Sequence, residues 1–509
     1  MRKLIPLSLF TFMCSALFSQ ITPVFYNNGA DVYVKPGAFM IATQAQGANA
    51  LTGFYNEANQ GTNSGAIINE GTIVIQTFLK NDDSIIGNGD KIEVAGDWIN
   101  DKLYSGNNSF VYLNGAVQTQ NITGAAVTTF DNLDLSGGPV KKQSIDAITT
   151  GVLSLNSAEL ATDINQMLVT NVNPTGAITW NPGAGFVSSV GAGKLARVTG
   201  TASGYVFPVG SPSYLNGPSI IRPVEITPPA GTDTFGACMV KGNATNDGYN
   251  VETTDKVLCL VNPNFYHRLY NGSGAAAADL TMYFNASTDG DWTDEAHWKN
   301  NEWNYIAAAT ASSNLGFSTV TVPAVSDFNP NPFALARKKF QLSAGPDVAL
   351  IQGQSTVFAP VIGAQAGYTV EWAPDLNLSC NTCNDPTANP SATTEYTIMV
   401  ADPAGCKLAD SLNVTVTELG LLIPTGFSPN GDGENDVFHV LNKNLAQIDL
   451  VVFNRWGEKI YETTDWTVGW DGTYKGVKQD VGVYVWECSY RFIGETTIKT
   501  AKGNVTLIR

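Results

Sequence analysis

From Gly71 to about Val198, short β-rich runs return at a loose period of roughly 20 residues, and no window of a dozen residues beyond residue 20 carries helical periodicity. The runs are Ile73-Val74-Ile75, Ile92-Glu93-Val94, Phe110-Val111-Tyr112-Leu113, Leu133-Asp134-Leu135 and Val152-Leu153-Ser154-Leu155. Turn residues such as Asn107-Asn108, Gly115 and Gly137-Gly138 separate them. Read as one strand per rung, the recurrence predicts a β-solenoid over 21–199 in which each rung buries its face on the next. A meandering β-sandwich gives similar spacing and is the alternative.

A chain of 509 residues is too long for one hydrophobic core. Only 14% of it is charged, while Gly, Asn, Thr and aromatic residues are plentiful, a balance that suits short strands and tight turns. The fold class expected throughout is therefore all-β: a β-solenoid-like or β-sandwich N-terminal region followed by two immunoglobulin-like β-sandwich domains. Over 200–330 the rhythm changes to that of a β-sandwich, with strands punctuated by Phe207-Pro208-Val209-Gly210 and Arg222-Pro223-Val224. Trp292, Trp298 and Trp303 sit close together in a polar stretch there. They either stack on sugar rings or, more simply, close the edge of the sandwich core. Phe328 to Phe333, with prolines at 330 and 332, reads as a linker.

Residues 339–417 hold alternating runs at Tyr368-Thr369-Val370-Glu371-Trp372, Thr394 to Val400 and Leu412 to Val416. Their length and central tryptophan fit an immunoglobulin-like sandwich. The segment resembles the PKD-like modules of bacterial surface proteins in Trp372-Ala373-Pro374 followed by Pro390 and Tyr396. The resemblance implies a spacer or adhesive module.

The N-terminus reads Met1-Arg2-Lys3, then an apolar run from Leu4 to Leu17, then Ser19-Gln20. That is the pattern of a signal peptide over 1–20. The run is too short to span a bilayer, and no later stretch approaches the roughly 18 apolar residues required. Cys14 lacks the small preceding residue of a lipidated cysteine, so a lipoprotein is the lesser alternative. The net charge of −17 argues against nucleic acid or an anionic membrane as partner, because both repel an acidic protein.

Six cysteines lie beyond the leader. Cys380-Asn381-Thr382-Cys383 lacks the second pair a metal site would need and reads as a local disulfide, with Cys406 as a competing partner. The three histidines, His267, His297 and His439, fall in separate modules, with no metal-binding pair at helical spacing and no nucleophile elbow. No catalytic residue is assigned. A polysaccharide-active enzyme using only carboxylates, Lys or Arg is the minor alternative.

The most informative residues close the chain. The segment 421–509 opens Phe427-Ser428-Pro429-Asn430-Gly431-Asp432-Gly433, with Asp436 and Phe438 following, and continues Asn454-Arg455-Trp456-Gly457. Trp470-Asp471-Gly472, Gly482-Val483-Tyr484 and Lys502-Gly503-Asn504 come next, and the chain ends at Arg509. Ile448, Leu450 and Val452 alternate with Asp449 and Val451 as one buried strand face, Asp471-Gly472 signals a turn, and Gly482 to Tyr484 has the form of a tyrosine corner. In this order the motifs resemble the type B C-terminal sorting domain of Bacteroidota surface proteins, also called the gliding motility-associated C-terminal domain. The resemblance implies that the type IX secretion translocon and outer-membrane shuttle proteins are partners, and that a folded domain is what they recognise. It implies delivery to the cell surface or the medium.

Ser428, Asn430, Asp432, Gly433 and Asp436 also occupy positions 1, 3, 5, 6 and 9 of an oxygen-rich calcium loop, although His439 stands where a bidentate glutamate would sit. The competing reading is an Asn-Gly-Asp-Gly turn held by side-chain to backbone hydrogen bonds. Calcium is the only cofactor the sequence suggests. From Leu421 onward nine Lys or Arg face eleven Asp or Glu, so most of the negative charge lies in the cargo. The expected function is a non-catalytic, adhesin-like or gliding-associated surface component that binds surface polysaccharide or other envelope proteins. An accessory part of the secretion or gliding apparatus is the alternative.

Overall fold

In the computed structural model the described residues are 5–6, 25–43, 53–57, 65–116, 118–138, 140–213, 218–272, 277–328, 331–417, 420–493 and 495–509. Apart from 5–6, the leader expected over 1–20 lies outside them. The chain divides into two compact units, residues 1–339 and 340–509, and both are built from β-strands.

The first unit begins as a solenoid with three strands per rung, not one. The rung Leu79–Asp82, Ser84–Gly87, Lys91–Val94 is typical: each strand joins a different parallel sheet. Register pairs Thr72 with Lys91, Lys91 with Phe110 and Phe110 with Asn132. The recurrence seen in the sequence is thus that of a single face. The other two faces stay hidden because their strands are less apolar, as in Gln120–Thr123 and Val140–Gln143. Polar residues even point inward there. Lys141 is fully buried and donates through Nζ to Gly115 O and Gln120 Oε1, each at 2.9 Å, while burial pulls its pKa down to about 8.

One corner of the solenoid is held by a buried amide ladder. Asn27, Asn56, Asn81 and Asn100 stack in register at successive rungs. Each of the first three passes a 2.8 Å hydrogen bond from its Nδ2 to the Oδ1 of the next. Such a ladder satisfies polar groups that a tight corner would otherwise bury without partners.

Beyond Lys194–Thr199 one sheet turns antiparallel and continues through Asp233–Lys241, Phe265–Asn271, Pro332–Lys338, Asp294–Lys299 and Glu302–Tyr305. A five-stranded sheet made of Tyr205–Phe207, Val224–Thr227, Ala278–Phe284, Phe317–Val325 and Thr310–Asn314 accompanies it. Phe235, Phe265, Phe333 and Leu335 of the first sheet share one core with Leu280, Met282, Val320 and Val322 of the second, and that core is continuous with the solenoid interior. The described ends of the segment read as a linker belong to this core. Phe328 and Phe333 are buried, and Pro332 opens an interior strand, a position where the missing N–H is tolerated. Trp292, Trp298 and Trp303 are buried as well, Trp303 completely, so they close a core and offer no ring to a sugar.

In the second unit, Val348–Ile351, Lys407–Thr417, Thr394–Ala401 and Thr369–Ala373 form one sheet. Trp372, Tyr396 and Phe358 pack together beneath it, with Phe358 4.9 Å from Trp372 and 5.2 Å from Tyr396. Cys380 and Cys383 are joined, their Cα atoms 6.0 Å apart, so Cys406 is not a member of that pair. The closing sheet of the chain runs in the order Gly426–Phe427, Lys499–Leu507, Gly482–Phe492, Leu445–Phe453, Lys459–Thr463.

Candidate functional site

The residues singled out in the last ninety positions assemble into one sandwich. Phe427, Phe438, Ile448, Leu450, Val452, Trp470, Tyr484, Val505 and Leu507 form its core. Trp470 is the centre, with its ring 4.8 Å from Tyr484 and 5.3 Å from Phe427. Its backbone exchanges two hydrogen bonds with Phe438, and its Nε1 donates to Thr473 O at 2.8 Å. Tyr484 makes the expected corner, its hydroxyl donating to Asp480 O four residues upstream at 2.7 Å.

The polar motif residues build turns. Asn454 Oδ1 accepts from the N–H groups of Trp456 and Glu458, and its Nδ2 donates to Glu458 Oε2, each at 3.0 Å. Gly457 supplies the positive φ of 79° that closes this turn. Arg455 and Trp456 are thereby held out at its tip, and Trp456 is 85% exposed. Asp471 Oδ1 caps the next turn by accepting from the backbone and hydroxyl of Thr473, at 2.9 and 2.8 Å. Gly472, against Pro429 and Leu507, offers its carbonyl to the Arg509 guanidinium. Lys502 pairs with Glu487 at the surface, a contact worth little to stability.

Gly503 has a role that its place in the motif did not reveal. It lies directly across from Trp486, and a Cβ there would sit 2.5 Å from the indole. The glycine lets the ring cover the neighbouring strand. A second contact also escaped sequence reasoning, because no spacing rule links residues 143 apart. The buried Glu495 carboxylate accepts from the Gln352 side chain of the preceding module and from Lys499 Nζ at 2.6 Å. Burial works against its charge, but the hydrogen bonds from Lys499, Gln352 and the Phe492 N–H outweigh that and hold its pKa below the usual range.

The oxygen-rich loop is arranged as a turn. Asp436 accepts from the N–H groups of Gly431 and Gly433, both at 2.8 Å. Asn430 Oδ1 accepts from Asp432 N, and Asp432 Oδ1 accepts from Glu434 N. The Glu434 N–H and the Asn430 amide lower the Asp432 pKa. Ser428 closes the loop through its backbone, donating to Asn435 O. These are the side-chain to backbone bonds of the turn reading, and a carboxylate or amide oxygen that accepts one of them keeps a second lone pair. If the loop is only a turn, Asp432→Ala should lower the melting temperature by the same amount in chelator and in millimolar calcium. If it binds calcium, the loss should appear only with calcium, because a ligand stabilises the state it binds.

Residues 421–507 match the CHU_C Type IX secretion signal domain. A signal domain of this family implies export by the type IX secretion system, to the cell surface or the medium. No described helix is long and apolar enough to cross a membrane. No curated protein matches the chain. Among solved structures, dimeric latent PorU from Porphyromonas gingivalis aligns at 10% identity and TM-score 0.14, over 56% of this chain and 31% of that one. A SusE-like surface-located polysaccharide binding protein from the heparin utilisation locus of Bacteroides thetaiotaomicron aligns at 10% identity and TM-score 0.15, over 58% and 62%. A tetra-tandem repeat from the extending region of a large adhesion protein aligns at 12% identity and TM-score 0.16, over 57% and 89%. The chain spans less than two thirds of the length of the first two, and TM-scores this low carry no argument.

Proposed function

We propose that this chain is a secreted, non-catalytic surface component of adhesin-like or gliding-associated type. In this reading the leader carries it across the inner membrane. Residues 421–509 then present it to the type IX translocon and its outer-membrane shuttle proteins, and the solenoid and sandwich of the first unit are the cargo. The match of residues 421–507, with the motif residues Phe427, Trp470 and Tyr484 gathered in one folded core, carries the proposal.

The non-catalytic part is supported by where the candidate acid–base groups lie. His267 is fully buried, with Nε2 2.7 Å from Arg222 O, and desolvation lowers its pKa to about 4. His297 stacks on Phe333 at 3.9 Å, and burial likewise lowers its pKa to about 4. Neither is placed to exchange protons with a substrate at neutral pH.

Deleting 421–509 should leave a signal-cleaved chain in the periplasm, and fusing those residues behind a signal peptide to an inert fluorescent protein should bring that protein to the surface or medium. Fractionation followed by protease accessibility on intact cells reads both results. Normal surface delivery of the truncated chain would sink the proposal.

A further inference from the structure

We infer that the turn tip Arg455-Trp456 is the surface by which the sorting domain is read, and that it docks in an apolar, acid-rimmed pocket on a protein of the secretion machinery. The inference deepens the proposed export reading and rests on it.

The turn joins the strands Leu445–Phe453 and Lys459–Thr463 and closes without help from the indole. Asn454 N donates to Glu458 O and Gly457 N returns to Asn454 O, both at 3.0 Å. The Asn454 side chain takes the N–H groups of Trp456 and Glu458. Trp456 belongs neither to the core of the domain nor to the residues packed against it. Among the described residues no large apolar side chain is more exposed. Arg455 beside it has no ion pair among the described residues.

A lone exposed apolar residue is ordinary. This one stands in a setting that favours binding. On one side is the hairpin of Thr473–Tyr474 and Val477–Lys478, tied to the turn where Tyr474 OH donates to Glu458 Oε1 at 3.2 Å. Lys475 Nζ lies 4.8 Å over the Tyr474 ring. On the other side a Cβ on Gly482 would sit 4.0 Å from the Arg455 guanidinium, between the exposed Val481 and Val483. Glu458 is already engaged by Asn454 and Tyr474, which leaves Asp480 as the open carboxylate against Arg455 and Lys475. In a chain of net charge −17 this end of the domain is cationic.

Tryptophan and arginine dominate binding energy at protein interfaces, because each brings a large surface to a fully desolvated pocket. A turn that fixes the backbone beneath them removes part of the ordering cost of association. The family match supplies the partner. A secretion signal is read by the apparatus that secretes it, and Phe427, Trp470 and Tyr484 are shut inside the core, so the reading is done from outside. The cations of the tip call for carboxylates around the pocket. A membrane surface is the competing occupant, since indoles and cations favour the headgroup layer. The net charge of the chain opposes an anionic leaflet, and lipid has no use for a ring held in one orientation.

The test expresses full-length Trp456→Ala and Arg455→Glu in cells that carry the type IX system and scores surface delivery by fractionation and protease accessibility. Each change should cut delivery at least tenfold. Melting of the purified variants should stay within about 2 °C of the parent chain, since neither side chain supports the core. The purified parent should not sediment with vesicles of phosphatidylethanolamine and phosphatidylglycerol. Four results would overturn the inference: Trp456→Ala delivered at the parent level, Arg455→Glu delivered at the parent level, a delivery loss matched by a larger fall in melting temperature, or sedimentation with vesicles that Trp456→Ala abolishes. A chain lacking 421–509 separates the two readings. If that chain is trapped while Trp456→Ala is delivered, this inference alone fails; if the truncated chain is delivered, the export reading fails first.

Discussion

Trp470→Ala should unfold the sorting domain and stop export with a single substitution. The indole is completely buried between Phe427 and Tyr484, and it is the largest side chain fully buried in that core. Truncating a buried aromatic typically costs about 3–5 kcal/mol. The change also orphans Thr473 O, which accepts from the indole N–H. Small domains hold together by roughly 5–15 kcal/mol, so little folded population should remain. Denaturant titration of residues 340–509 would read the stability, and fractionation of cells expressing the full chain would read export. Lys478→Ala, at an exposed position, should leave both unchanged. A variant that melts yet still reaches the surface would show that the apparatus reads a linear signal rather than a folded surface.

Asn81→Leu should damage the solenoid severely, although it replaces a polar residue with an apolar one of similar size. Asn81 is fully buried in mid-ladder, where it accepts from Asn56 Nδ2 and donates to both Asn100 Oδ1 and Leu103 O, each at 2.8 Å. Leucine takes a partner from Asn56 Nδ2, Asn100 Oδ1 and Leu103 O, and of these the two side-chain amide atoms are buried. At about 1–3 kcal/mol for each of the two buried groups, a loss of about 2–6 kcal/mol is expected. Asn28→Ala, on the exposed side of a neighbouring solenoid strand, should cost less than about 0.5 kcal/mol. Thermal melting of the full chain followed by circular dichroism would compare the two. Equal effects would mean that the ladder contributes no more than any surface asparagine.

Several features were legible in the residues alone. Alternation at Ile448, Leu450 and Val452 gave a strand with one buried face, and the structure buries those three. Asp471-Gly472 turns and Tyr484 makes its corner, because turn chemistry acts over a few residues and needs no distant partner. Only the tertiary structure decided the rest. Whether a 20-residue recurrence holds one strand or three depends on corners made by polar residues such as Asn81, whose burial is possible only when other rungs supply their partners. Gly503 reads as a motif glycine until Trp486 is seen lying across it. Glu495 reads as a surface acid until Gln352, 143 residues earlier, is found donating to it. Local hydrogen bonds and strand periodicity are written in consecutive residues. Partners brought together by folding have no sequence spacing, so their contribution appears only once the chain has closed.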